Sequence, residues 1–393
     1  MELGKEFIRL KNLYRDNKFD EILNHEFGIY FLKMRSVSRK ALLEDLSKRA
    51  KIDLPKISGR GDKLFEFLFC KNISINILDE FIKNVFEQER KIRITNEDYL
   101  YSQLYKLRVF DWGGFYQNAV EQTIVNNYIK KIQNYDELCN KIEDDINPRL
   151  KGYILCSWYN HWTSILIEDM FKDHPDILPA VGLIKKVDFF WKNFPFDLKV
   201  TYFPDEFMKL KRKEKGLRPE IAELKTYAKN NDIYFDKQAS HNEIFSELYT
   251  RISEDTSQKS RNFFNEFVEI RKKIIQETIH DPISLTKWFY ENQGVRRFDA
   301  ANRFFIVLID INNLEESWKL KRNKNLLKEH IDNYLNNNKS INFNDLKLEF
   351  LWEDRIYTTY ATTLFVIKDN IIYLQAILKL WSLIPRLIHF IGQ

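Results

Sequence analysis

Between Val187 and Thr201 the chain reads VDFFWKNFPFDLKVT. Apolar and aromatic residues dominate this stretch, yet Asp188, Asp197 and Lys199 are set among them. Ionised carboxylates are costly to bury unless a cation or hydrogen bonds compensate them. Two β-prone runs flank Lys192-Asn193, which predicts a hairpin with a tight turn at those two residues. Side chains of a strand alternate between faces. In the second arm Phe196, Leu198 and Val200 therefore point one way, and Asp197, Lys199 and Thr201 the other. Asp188, on the first arm, can approach Asp197 across the turn. Any fold must gather these two carboxylates and one ammonium at the edge of an apolar sheet.

The 393 residues suffice for two or three domains. Hydrophobic residues make up 44% and charged residues 30%, with 31 Phe, 19 Tyr and 8 Trp, which describes globular chains with large aromatic cores. Cys70, Cys139 and Cys156 lie too far apart in sequence for a disulfide framework or a zinc pattern, so a reducing cytoplasm is expected. The opening MELGKEFIRL has no apolar signal core. The apolar stretch IIYLQAILKLWSLIPRLIHFI carries Lys379, Pro385, Arg386 and His389. It reads as a helix docked on the core, not a membrane span.

Helical periodicity fills residues 1–95, in GKEFIRLKNLYRD, VSRKALLEDLSKRAK and ISINILDEFIKNVFEQERK. The net charge is +5, and the basic surplus lies within residues 1–110. Residues 33–63 hold ten basic and four acidic residues, interrupted by Pro55, Gly59 and Gly61. Such a module resembles a helix-turn-helix or winged-helix reader of DNA. A helical packing domain with a solvated face is the alternative.

Further on, Gly113-Gly114 marks a turn. NAVEQTIVNNYIKKIQNY predicts a helix with a stripe of Val120, Ile124, Tyr128 and Ile132. YILCSWYNHWTSILIEDMFKDH predicts another, ending before Pro175. From Pro204 to about Asn302 the chain reads as charged helices. RFFIVLID at 303–310 has the continuous apolar character of a central strand, and LKLEFLW and TTLFVIK predict two more. The expected fold is α/β: a mixed central β-sheet flanked by helices. A helical region at 1–110 would precede a domain at 111–393 with a helical insertion.

Two adjacent carboxylates repel each other, and one lysine neutralises only part of their charge. Mg²⁺ is the natural counter-ion, because it is hard and often takes one or two carboxylates plus phosphate and water. The Asp…Asp-x-Lys arrangement resembles the PD-(D/E)XK nuclease superfamily. Asp188 matches the first acid, and Asp197-Leu198-Lys199 match the (D/E)-x-K triplet, with Val187 standing where the motif has proline. The family often adds an acid on the preceding helix, and Glu168 matches that position. His161, Ser164, Ile165 and Glu168 share one helical face by spacing. The resemblance implies Glu168, Asp188, Asp197 and the Leu198 carbonyl around Mg²⁺, with Lys199 positioning the attacking water. It implies a restriction-endonuclease-like core and, given the length, a type II restriction endonuclease acting on double-stranded DNA. A homodimer would match a palindromic site.

DNA contacts are expected from Lys211, Arg212 and Lys213 in FMKLKRKEKGLRPE, with His161 and Asn160 near the site. Arg296, Arg297 and Arg303 in GVRRFDAANR are further candidates. A solvated helix face and a packed core histidine are the ordinary alternatives for the first two groups. GRGDK is not a P-loop, so no nucleotide cofactor is expected. FGIYF lacks a partner for a GIY-YIG nuclease, and neither His-Glu-x-x-His nor Gly-x-Ser-x-Gly occurs. Three other readings stay open: a PD-(D/E)XK nuclease of DNA repair or of a mobile element, a non-catalytic DNA-binding regulator, and a plain Lys199–Asp197 ion pair at a sheet edge.

Overall fold

The computed structural model describes residues 2–55, 61–116, 119–182, 184–239, 241–293 and 298–368. The fold is mixed α/β, with sixteen α-helices and six strands among the described residues. The strands are β1 (Ile177–Pro179), β2 (Phe189–Trp191), β3 (Phe194–Tyr202), β4 (Arg303–Asp310), β5 (Lys347–Trp352) and β6 (Arg355–Lys368). They form one mixed sheet in the order β1-β2-β3-β4-β6-β5. β1, β2 and β3 pair antiparallel, with Ile177 opposite Trp191 and Phe189 opposite Phe196. β4 runs parallel to β6, and β5 antiparallel to it.

The chain divides into two compact units. The first comprises Met1–Leu198 and Trp318–Lys339; the second comprises Lys199–Ser317 and the described residues from Ser340 on. The boundary falls inside β3.

In the first unit the N-terminal segment is helical, as its periodicity predicts. The helix Ile75–Arg93 buries Leu78, Phe81, Ile82, Val85 and Phe86, a spacing that keeps one stripe inward. Phe7, Phe31, Phe65 and Phe69 fill the centre of this bundle, and Phe7 meets Phe65 edge to face at 4.9 Å. The same core takes in Leu178, Val187 and Phe190, so the N-terminal helices and the first strands share one interior. Lys33 is fully buried and paired with Asp79. Arg39 pairs with Glu89, Lys48 with Asp45 and Arg49 with Glu80. Much of the basic character of residues 33–63 is thus matched by acids of the same unit.

The helix predicted over 118–135 is shorter than expected. An α-helical turn, Val120–Ile124, passes into a π-helical one, Val125–Ile129. Tyr128, the buried residue of that turn, donates its hydroxyl to Asp145 at 3.0 Å and accepts from Arg149 at 2.5 Å. The Gly113-Gly114 turn occurs as predicted, with φ of 60° and 71°. A Cβ on Gly113 would lie 2.3 Å from the Arg149 carbonyl oxygen, which requires glycine. The helix Asn147–Lys172 then runs to its predicted end before Pro175. The returning helix Lys324–Asn337 buries Leu327, Ile331 and Leu335. Tyr159 donates to the Trp318 carbonyl at 2.9 Å, and Lys321 to the Asn160 side chain at 2.9 Å.

In the second unit all eight residues of β4 are buried, as expected of the continuous apolar run RFFIVLID. Val307 and Ile309 pack with Phe203, Phe207, Ile275 and Leu285. Ile221, Leu224, Leu248 and Phe267 form a separate helical core. LKLEFLW and TTLFVIK fall in β5 and β6 as predicted. The apolar segment after Asn370 lies outside the described residues. Among the described residues, no helix is long and apolar enough to cross a membrane.

Candidate functional site

The hairpin forms where the sequence predicts it. Lys192 and Asn193 take φ of 47° and 71°, the left-handed pair that closes a two-residue turn between right-twisted strands. Lys33 fixes that turn from the N-terminal bundle: its ammonium donates to the Asn193 side-chain oxygen at 2.6 Å and to both Asp79 oxygens at 2.8 and 2.9 Å.

Asp188 lies just before β2. Its N–H donates to the Phe196 carbonyl at 2.8 Å, and its own carbonyl accepts from Ala180 at 3.0 Å. Asp188 Oδ2 accepts the Leu198 N–H at 2.8 Å. A side-chain oxygen thus stands in for a backbone acceptor, which anchors the Asp188 carboxylate beside Asp197 and Leu198. Leu198 makes this link through its N–H. Asp197 is half-buried, and Lys199, next but one in β3, is exposed.

Glu168 reaches the same neighbourhood from the helix Asn147–Lys172. Phe171 on that helix meets Phe189 of β2 with tilted rings, their centroids 4.8 Å apart. Asp169, 3% exposed, is held by Arg93 at 2.6 and 2.8 Å and lies 3.7 Å from Arg90. These contacts fix the last turns of the helix.

The Asp188 carboxyl is pushed up to about 6. Burial is the main cause, followed by the charges of Glu168 and then Asp197; the Leu198 N–H and Lys172 act in the opposite sense. Glu168, Asp188 and Asp197 therefore form one electrostatic cluster.

Sequence reasoning missed the cation at this cluster. Lys172 forms an ion pair with Glu168 one helical turn away. Its side chain is 8% exposed, and its ammonium lies 5.5 Å from the Phe86 ring centroid. The signal was present: Glu168 and Lys172 have the i, i+4 spacing of a helical ion pair.

Among the described residues, no three His, Cys, Asp or Glu side chains are grouped to hold a metal ion. The donor chemistry of Asp188 and Asp197 nonetheless suits a hard divalent cation, which can take two carboxylates and complete its shell with water and phosphate. A positive charge there would oppose the carboxylate repulsion that adds to burial in raising Asp188.

The other residues named from the sequence differ in burial and partners. His161 is exposed, against Trp162 at 5.2 Å, and lies two helical turns before Glu168. Lys211 pairs with Glu214 at 2.9 Å, and Lys213 is exposed. Arg212 is not a surface residue. Its side chain is fully buried, pairs with Glu223, donates to the Arg218 carbonyl at 2.6 Å and lies 3.9 Å from Glu220. The expectation that it meets DNA is corrected on that ground: extracting it would strand Glu223. Arg303 is buried as well, 5.0 Å from the Tyr290 ring centroid. Arg296 and Arg297 lie outside the described residues.

Comparison with protein-family models, curated proteins and solved structures finds no match to this chain.

Proposed function

We propose that this protein is a Mg²⁺-dependent endonuclease of the PD-(D/E)XK kind, cutting double-stranded DNA at a specific sequence as a type II restriction enzyme does. The observation that carries this reading is the shared field of Glu168, Asp188 and Asp197 beside a hairpin whose next charged residue is Lys199. The order of elements supports it: an acid-bearing helix, Asp188 at the head of β2, a two-residue turn, then Asp-x-Lys on β3. The proposal includes a restriction-endonuclease-like core within the mixed sheet.

Asp188 and Asp197 are the proposed metal ligands, with Glu168 in support. A divalent ion held there would polarise a phosphoryl oxygen and lower the pKa of water. Lys199 orients the water and stabilises charge building on the phosphorus. The water oxygen bonds to phosphorus as the bond to the 3′ oxygen breaks. That oxygen leaves with a proton, giving a 5′-phosphate and a 3′-hydroxyl. Among the cationic candidates, Lys211 and Lys213 suit phosphate contact better than Arg212, and a homodimer suits a palindromic target.

Digestion of methylated and unmethylated plasmid with Mg²⁺, followed by sequencing of the fragment ends, tests the reading. Discrete fragments are expected, lost in Asp197→Ala while DNA binding persists. Random nicking or end degradation would point to a repair or mobile-element nuclease. Binding without any cleavage would overturn the catalytic reading. One observation favours that non-catalytic alternative: Lys172 already neutralises part of the acidic cluster, as a structural ion pair would.

A further inference from the structure

Arg322 carries a buried positive charge that the cutting reading leaves aside. It stands just before the helix Lys324–Asn337 and is 5% exposed. Its Nη1 donates to the Leu104 carbonyl at 2.9 Å and to the Leu107 carbonyl at 2.8 Å. Arg322 thus caps the end of the helix Glu97–Leu104. Its guanidinium lies 4.8 Å from the Tyr105 ring centroid and 5.0 Å from that of Trp318.

Capping accounts for only part of this charge. A helix C-terminus offers about half an elementary charge. Nη1 serves both carbonyls, while the buried Nε has no hydrogen-bond partner among the described residues. Burial lowers the Arg322 pKa most; Tyr159 and Tyr105 oppose that, Arg108 adds to it, and no carboxylate takes part. The acids on neighbouring segments are engaged elsewhere. Glu97 pairs with Arg90 and Lys324, Asp98 with Lys324, and Asp111 accepts from the Gly113 N–H. A buried cation without a carboxylate is costly, and the edge formed by Nε and Nη2 is the fork that takes two oxygens of one anion.

We propose that Arg322 binds a phosphate group, with Arg108 as the second cation of the site. The Nε–Nη2 edge holds two phosphate oxygens, and the exposed Arg108 answers the remaining negative charge. Tyr105, 48% exposed, is the ring that turns aside to admit them. Two arginines whose charges repel, with no acid between them, match a phosphate better than a single carboxylate. The group belongs either to a nucleic-acid backbone or to a small phosphorylated molecule. Such a site stands whether or not the chain cuts DNA.

Calorimetric titration of the full-length protein with inorganic phosphate, a short duplex and a short single-stranded oligonucleotide tests this. Chloride at matched ionic strength is the control, and circular dichroism shows which variants are folded. Arg322→Lys keeps the charge and loses the fork, and should weaken binding at least about tenfold. Arg108→Gln, at an exposed position, should weaken it about threefold. Oligonucleotide binding weakened by both substitutions supports the site and identifies a nucleic-acid backbone. Weakened phosphate binding with unchanged oligonucleotide binding supports it and identifies a small phosphorylated ligand. A wild type that binds none of these ligands beyond the chloride control overturns the site. So does a folded Arg322→Lys that binds all of them as the wild type does. Where Arg322→Lys does not fold, unchanged binding in Arg108→Gln overturns it instead.

Discussion

The Leu198 N–H donates to Asp188 Oδ2 at 2.8 Å, so a part-buried peptide group of β3 depends on an acid at the head of β2. Replacing Asp188 with alanine removes the acceptor and leaves that N–H unsatisfied. Below about pH 6, where the native Asp188 carboxyl is protonated, a loss of about 1 kcal/mol is expected. Asp188→Asn retains a carbonyl acceptor and should lose less. Urea denaturation of the two variants in metal-free buffer makes the comparison. Equal stability of Asp188→Ala and wild type would contradict it.

The raised Asp188 carboxyl makes stability depend on pH. Its native value of about 6 lies above the ordinary 3.8, so between those values the native state holds a proton that the unfolded chain has released. Stability from this group is fully present below pH 3.8 and is lost as pH rises through about 6. Over that interval the contribution declines by up to about 3 kcal/mol, and burial is its first cause. Other carboxyls add their own slopes, so the measurement is a difference. Thermal melts from pH 4 to pH 7 should show the wild type losing more stability than Asp188→Asn. Parallel curves would remove Asp188 as the source.

Lys33 is expected to matter for the hairpin although it lies far from it in sequence. Lys33→Met strands Asp79 and releases the Asn193 side chain. Breaking a buried pair costs about 3–5 kcal/mol. Asp79 is 28% exposed, so the lower end applies. Adding Asp79→Leu should recover part of the loss, because no charge is then left behind. Denaturation of the single and double variants measures this, and full additivity would argue against the pair.

Arg212 and Lys213 separate packing from DNA contact. Arg212→Ala should destabilise the protein by about 3 kcal/mol, since Glu223 loses a buried partner. Lys213→Ala should leave stability within about 0.5 kcal/mol of wild type. If the helix Asp205–Glu214 meets phosphate, Lys213→Ala should also lessen the salt dependence of DNA binding. Melting curves and binding at two salt concentrations read both effects.

The hairpin, its turn residues, β4 and the N-terminal helices were legible because each is written in local pattern. Val-Asp-Phe-Phe-Trp and Phe-Pro-Phe-Asp-Leu-Lys alternate or run apolar over a few residues, and Lys192-Asn193 is a short polar break. β1 was not legible. Ile177–Pro179 is three residues long and includes a proline, and its strand character comes from pairing with β2. Arg212 was misread as a DNA contact because five neighbouring basic residues suggested an exposed cationic run. Its burial depends on Glu220 and Glu223, whose approach no periodicity reveals. In the site, Asp188 and Asp197 were singled out from the hairpin pattern and Glu168 from the family resemblance, whereas Lys172 was overlooked although it obeys a local rule. The tie from Lys33 to Asn193 spans 160 positions and belongs to tertiary structure alone.

The first unit is discontinuous: the chain leaves it within β3 and comes back only at Trp318. During synthesis, the helix bearing Glu168 emerges long before Trp318, Lys321 and the Lys324–Asn337 helix that complete its surroundings. At about 5–20 residues per second the ribosome needs on the order of ten seconds to cover the interval. Throughout that time Tyr159 has no Trp318 carbonyl to donate to. A nascent protein of this design completes the packing around its Glu168-bearing helix last, after most of the second unit has already been made.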